Sequence, residues 1–113
     1  MIELPWPPSK LSRNGSQGDY RGKADAASKY RADCFILAQA GLRGHAISHD
    51  GPIMLDISYH EPTAHRRDLD NLLAMTKQGI AAVAQVLGVD DYRFEYTVRR
   101  GPICKGGKVV GKL

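Results

Sequence analysis

The sequence predicts an α+β fold: a small mixed β-sheet packed with two helices in a single domain over residues 1–113. Three observations carry this. "IMLDISYHE" and "YRFEYTVRR" alternate apolar and polar residues with a period of two, which marks half-buried strands. Two longer segments instead place their apolar residues at helical spacing. A chain of 113 residues with 42% hydrophobic residues is long enough to bury one core without disulfides.

Taken in order, "IELP" is a short apolar strand ended by "PWPPS", whose prolines forbid a helix. Residues 10–22, "KLSRNGSQGDYRG", read as a polar basic loop. From about Lys23 to Ala40, Ala27, Tyr30, Cys34, Leu37 and Ala38 share one helical face, and Gly41 is a natural stop. In the next strand Ile53, Leu55, Ile57 and Tyr59 point one way, with Asp56, Ser58 and His60 opposite. Asp70 to Leu87 is the strongest helix, with Leu73, Ile80, Val83, Ala84 and Leu87 as its stripe and Gly88 after it. "YRFEYTVRR" then turns Tyr92, Phe94, Tyr96 and Val98 inward, and "KVVGKL" forms a last strand. The order is β-α-β-α-β-β, with no internal repeat and no domain boundary.

No apolar run approaches the roughly 18–20 residues a membrane span needs, and the N-terminus lacks a signal-peptide pattern. The expected location is the cytosol. Cys34 and Cys104 are far apart in sequence and are expected to be reduced. Sixteen Lys/Arg against twelve Asp/Glu give +4, a weak pointer to a polyanionic partner. The placement of the acids says more: Asp68/Asp70 and Asp90/Asp91 form two tight pairs, the first directly after His65, Arg66 and Arg67.

Asp68 and Asp70 have two readings. As N-cap and first-turn acids they complement a helix start. If "HRRDLD" is extended, both project to one side and suit a hard cation such as Mg²⁺. Zinc is disfavoured because no Cys/His quartet has suitable spacing, and His60 and His65 read as surface or DNA-contacting residues. Asp90/Asp91 follow the end of the same helix, where its dipole opposes acid. A surface turn explains the pair, and so does Asp91 as a third ligand if the next strand runs back along the helix. Lys77, two turns after Asp70 on nearly the same face of a straight helix, leans toward the carboxylates or is solvated surface.

"LPWPPSK", "RRDLDNLL", "VDD" and "KGGKVV", in this order from Leu4 to Val110, resemble the RusA Holliday junction resolvases, small endonucleases of bacteria and prophages. The resemblance implies a homodimeric, Mg²⁺-dependent endodeoxyribonuclease that cuts four-way DNA junctions by paired symmetric nicks in recombination and repair. It maps Asp68, Asp70 and Asp91 onto the metal-binding catalytic aspartates, with Asp90 as a neighbour. The family's lysine position falls on Ala74, and Lys77 is the nearest substitute. Arg66, Arg67, Lys10, Arg13 and Arg21 are the expected contacts to the DNA backbone. Ala74 also keeps an alternative open: a junction- or DNA-binding protein of the same fold with weakened catalysis.

Overall fold

In a computed structural model, which describes residues 1–12, 20–64 and 67–113, one mixed sheet carries a layer of helices on one face. The strands are β1 (Ile2–Pro5), β2 (Ile53–His60), β3 (Phe94–Arg100) and β4 (Lys108–Lys112), in the order β1-β4-β2-β3. β4 lies antiparallel to both β1 and β2, whereas β2 and β3 run parallel. The α+β expectation holds.

The alternation in β2 was legible for a simple reason. Ile53, Leu55, Ile57 and Tyr59 are all buried, and they face the helices. The helix α1 (Tyr20–Gly41) covers them together with α3 (Lys77–Leu87). Tyr30, Cys34 and Ala38 of the predicted stripe are buried, but Leu37 is exposed, on the margin of the face. The α1 and α3 axes approach closely at Gly79, where a Cβ would sit 3.1 Å from Cys34 Sγ and 3.2 Å from the Tyr30 ring. The Tyr30 hydroxyl donates to the Pro5 carbonyl at 2.7 Å and ties α1 to the end of β1.

The predicted helix over Asp70–Leu87 is broken. It is two helices, α2 (Leu69–Met75) and α3, joined at Thr76. Thr76 is 1% exposed, and its hydroxyl donates back to the Leu72 and Leu73 carbonyls at 3.0 and 3.1 Å. The same oxygen shares a 2.7 Å hydrogen bond with the buried Tyr59 hydroxyl from β2. A threonine bonding back to its preceding turn bends a helix, and here the tyrosine of the sheet holds the bend in place.

Three further boundaries moved. α1 begins at Tyr20, earlier than the predicted Lys23. The predicted N-terminal loop opens with a 3-10 turn at Ser9–Leu11, and the rest of it up to residue 19 lies outside the described residues. Asp91–Arg93 is a second 3-10 turn rather than strand, so Tyr92 is 83% exposed instead of inward. Phe94 is buried as expected, but Tyr96 is 42% exposed because β3 is the sheet edge. Both cysteines are free thiols.

The two ends of the predicted motif set meet at the sheet. Gly107 of "KGG" has φ +72, and a Cβ there would fall 2.8 Å from the Trp6 ring of "LPWPP". Only glycine satisfies both the backbone and the close approach. Trp6 in turn stands edge-on to Tyr59, with centroids 6.4 Å apart.

Candidate active site

Where β2 ends, the chain turns through Glu61 and returns as α2, so the carboxylates of "DLDN" sit at the C-terminal end of the β2/β3 pair. Asp68 is the N-cap residue by backbone geometry, with φ −65 and ψ 142, and its carbonyl accepts from the Leu72 N–H at 3.0 Å. Its carboxylate makes no capping hydrogen bond. Asp70 lies in the first turn of α2, and both residues are exposed. The helix start and the exposed carboxylate pair are thus compatible. Asn71, the next residue, donates to Ser12 Oγ at 3.4 Å, which seats the end of the Ser9–Leu11 turn against the first turn of α2.

The segment before Asp68 is held by a group that sequence reasoning missed. The Glu61 side chain is only 6% exposed and accepts from the Arg67 main-chain N–H at 3.1 Å. Two guanidiniums flank it, Arg67 and Arg100, each at 3.9 Å. Arg100 also donates to the Arg67 carbonyl at 2.6 Å, and the Glu61 carbonyl accepts from the Cys104 N–H at 3.0 Å. One buried acid therefore fixes the end of β2, the end of β3 and the residue preceding Asp68. The signal was present, since Glu61 ends the strict alternation of β2, but no local pattern marks an acid for burial.

Among the predicted basic contacts, Lys10 is exposed in the first 3-10 turn and Arg21 is exposed in the first turn of α1. Arg67 is engaged at Glu61. Arg13 and Arg66 lie outside the described residues, as does His65. Lys77 opens α3 on the far side of the bend, so a straight-helix projection from Asp70 no longer locates it. It lines a groove of about 380 Å³ with Leu11, Lys23, Ala27, Ala74 and Gln78. Ala74 and Lys77 therefore share one groove, and Lys23 adds a cation that sequence reasoning did not single out.

Asp91 is elsewhere. It opens the turn before β3, at the opposite end of the parallel pair. There Arg93 donates to the Gly51 and His49 carbonyls at 2.9 and 2.7 Å, and Phe94 pairs with Ile53. Six residue steps of strand separate Phe94 from Arg100, which puts the Asp91 end about 20 Å from Asp68. Within one chain the expected convergence of Asp68, Asp70 and Asp91 is not met. The cause is topological, because β3 runs parallel to β2 and starts where α3 finishes. Among the described residues of one chain, no group of three or more His, Cys, Asp or Glu side chains could hold a metal ion. Asp90 acts locally, its carboxylate accepting from the Tyr92 N–H at 3.1 Å and capping the turn. The Tyr96 hydroxyl pKa is raised first by burial and then by the Asp91 charge.

The site as observed is a pair of carboxylates exposed at the start of α2, with a groove carrying Lys23 and Lys77 past the end of that helix, on a mixed sheet with helices on one face. The comparisons with known proteins make the class specific. The chain is 30% identical over 117 residues to the crossover junction endodeoxyribonuclease rusA of Enterobacteria phage 82, covering 96% of this chain and 88% of that protein. The crossover junction endodeoxyribonuclease RusA of Escherichia coli K12 matches to the same extent. An uncharacterized protein of Xylella fastidiosa is 34% identical over 111 residues, covering 96% of this chain and 72% of that protein. No family model matches. The chain belongs to the RusA family of crossover junction endodeoxyribonucleases. Among the described residues, no helix is long and apolar enough to cross a membrane.

Proposed function

We propose that the chain is a Mg²⁺-dependent endodeoxyribonuclease that resolves four-way DNA junctions as a homodimer. The observation that carries the reading is the pair Asp68 and Asp70, exposed at the start of α2 with a lysine-lined groove past its end, in a chain related to RusA nucleases. Two carboxylates offer hard oxygen donors of the type Mg²⁺ takes. One chain does not complete the set, because its own Asp91 lies about 20 Å away. A junction with near two-fold symmetry calls for two sites related by a two-fold axis. In such a dimer, Asp91 of the partner subunit is the third ligand.

Bound there, Mg²⁺ would supply an activated water and neutralise charge on the scissile phosphate. The chain's own residues do the rest. Asp68 and Asp70 hold the site at a helix start whose dipole is directed toward anions. Glu61, Arg67 and Arg100 set the backbone entering Asp68. Lys77 and Lys23 line one groove, and together with the exposed Lys10 and Arg21 they offer cations to the phosphate backbone.

The test is a synthetic four-way junction with protein and Mg²⁺. Paired nicks that vanish in Asp70→Asn support the nuclease. The shared site has its own test: Asp70→Asn and Asp91→Asn are inactive alone, and mixing them restores nicking, because one of the two sites in a mixed dimer is intact. No recovery on mixing sinks the shared site. The second reading, a junction-binding protein with weakened catalysis, is favoured by the exposed Ala74 at the family's lysine position. Tight junction binding without nicking at any Mg²⁺ concentration identifies it. Lys77→Ala separates the two further, with nicking falling sharply while binding persists if Lys77 serves the phosphate.

A further inference from the structure

β3 ends the sheet, and its outer edge pairs with no strand among the described residues. Isolated proteins commonly blunt such an edge with charge, and this one carries Arg93, Glu95, Arg99 and Arg100. The charges are not scattered, however. Glu95 lies two residues before Thr97 and Arg99 two after it, and all three are exposed on one face of the strand. A strand with that pattern is complementary to its own antiparallel copy.

We infer that the outer edge of β3 is the dimer interface, paired antiparallel with β3 of a second copy about a two-fold axis at Thr97. In that register each Glu95 faces Arg99 of the partner subunit, and this happens twice. Tyr96, 42% exposed in one chain, faces Val98 of the partner subunit, and the two threonines face each other. Opposite charges, aromatic with β-branched residues, and Thr with Thr are the favourable cross-strand pairs. The neighbouring registers lose this. Centring on Tyr96 sets Arg93 against Arg99, and centring on Val98 leaves Glu95 against Gly101. The two four-stranded sheets join into one of eight strands.

This inference rests on the shared-site reading and deepens it. Antiparallel pairing sets Phe94 of the partner subunit against Arg100, which already binds the Arg67 carbonyl next to Asp68. Asp91 of the partner subunit, three residues before that phenylalanine, arrives at the end of the sheet that holds Asp68 and Asp70. The same axis that pairs the charges brings the third carboxylate to the first two.

The experiment reads dimerisation by light scattering and sedimentation, without DNA or Mg²⁺. Glu95→Arg and Arg99→Glu, each confirmed folded by circular dichroism, should weaken the dimer at least tenfold, and the double swap E95R/R99E should restore it. In a Cys104→Ser background, Thr97→Cys should form a covalent dimer on mild oxidation, since Cys34 is buried. Single swaps that leave the dimer unchanged, a wild-type protein that stays monomeric, or no cross-link at position 97 overturn the pairing. The nuclease reading fails differently. A dimer that responds to the swaps as stated but never nicks a junction overturns the enzyme and leaves the interface standing.

Discussion

Replacing Glu61 tests the claim that one buried acid sets the approach to Asp68 and Asp70. Three contacts are lost in Glu61→Ala. The hydrogen bond from the Arg67 N–H, at 3.1 Å to an ionised carboxylate that is 6% exposed, contributes about 1.5–3 kcal/mol. The two guanidinium contacts are long, 3.9 Å each, and the arginines are 28% and 38% exposed, so each adds at most about 1 kcal/mol. Together Glu61→Ala should cost about 2–4 kcal/mol. Glu61→Gln keeps an acceptor for the Arg67 N–H and should cost roughly half as much. At about 4 °C per kcal/mol for a chain of this size, Glu61→Ala lowers Tm by about 8–16 °C. The assay is urea unfolding followed by circular dichroism, with junction nicking measured at a temperature where both variants are folded. Nicking by folded Glu61→Ala should require more Mg²⁺ than wild type, because the residue before Asp68 has lost its anchor. Two variants equal to each other and within 0.5 kcal/mol of wild type, on the scale of ordinary surface changes, would refute the reasoning.

Other outcomes follow from the core. Tyr59→Phe removes the 2.7 Å hydrogen-bond partner that holds the bend at Thr76 and should cost about 1–2 kcal/mol by urea titration. Gly79→Val forces side-chain atoms into Cys34 and Tyr30 and should cost about 1–3 kcal/mol; an unchanged midpoint would show that α1 and α3 can separate. The Cys34 thiol pKa is pushed up to about 11 from 9.0 by burial, partly offset by its hydrogen bond to Tyr30. Its contribution is therefore complete below pH 9 and is lost as pH rises toward 11, since the unfolded thiol ionises first. Cys34→Ala should show a shallower loss of stability over that window, measured as unfolding free energy against pH. A thiol reagent should label Cys104 quickly and Cys34 only on unfolding, and rapid labelling of both would place Cys34 at the surface.

What could be read from the residues divides along a physical line. Period-two alternation in β2 and helical spacing in α1 reflect one face against the core, so Tyr30, Cys34, Ile53 and Tyr59 were legible. The break at Thr76 was not, because it depends on a hydroxyl brought from β2. Tyr92 misled because a turn at Asp91–Arg93 preserves the look of alternation while leaving the sheet. The aspartate pair was visible as a local pattern, and its exposed setting agrees with the sequence. Asp91 was legible as a motif residue but not as a position. Strand direction, set by how β3 pairs with β2, decides which end of the sheet it occupies. Glu61 escaped altogether, since its two arginine partners come from residues that sequence places 6 and 39 positions away.

The pairing of Ile2 with Gly111 has a consequence for how the molecule is made. β1 emerges first in synthesis, yet its strand partner is β4, roughly a hundred residues later, and β4 must slot between β1 and β2. Contacts of such sequence separation close late, after their loop entropy has been met. Until β4 arrives, β1 has no ladder, and β2 keeps one side open beside the growing β3. Trp6 has no Gly107 to lie against, and the sheet that backs Tyr59 and Thr76 is incomplete. A nascent chain that already contains every aspartate of the motif thus lacks the finished sheet on which they are arranged. Completion of the sheet is deferred to β4, so a ribosome-stalled chain ending before Lys108 should be protease-sensitive throughout.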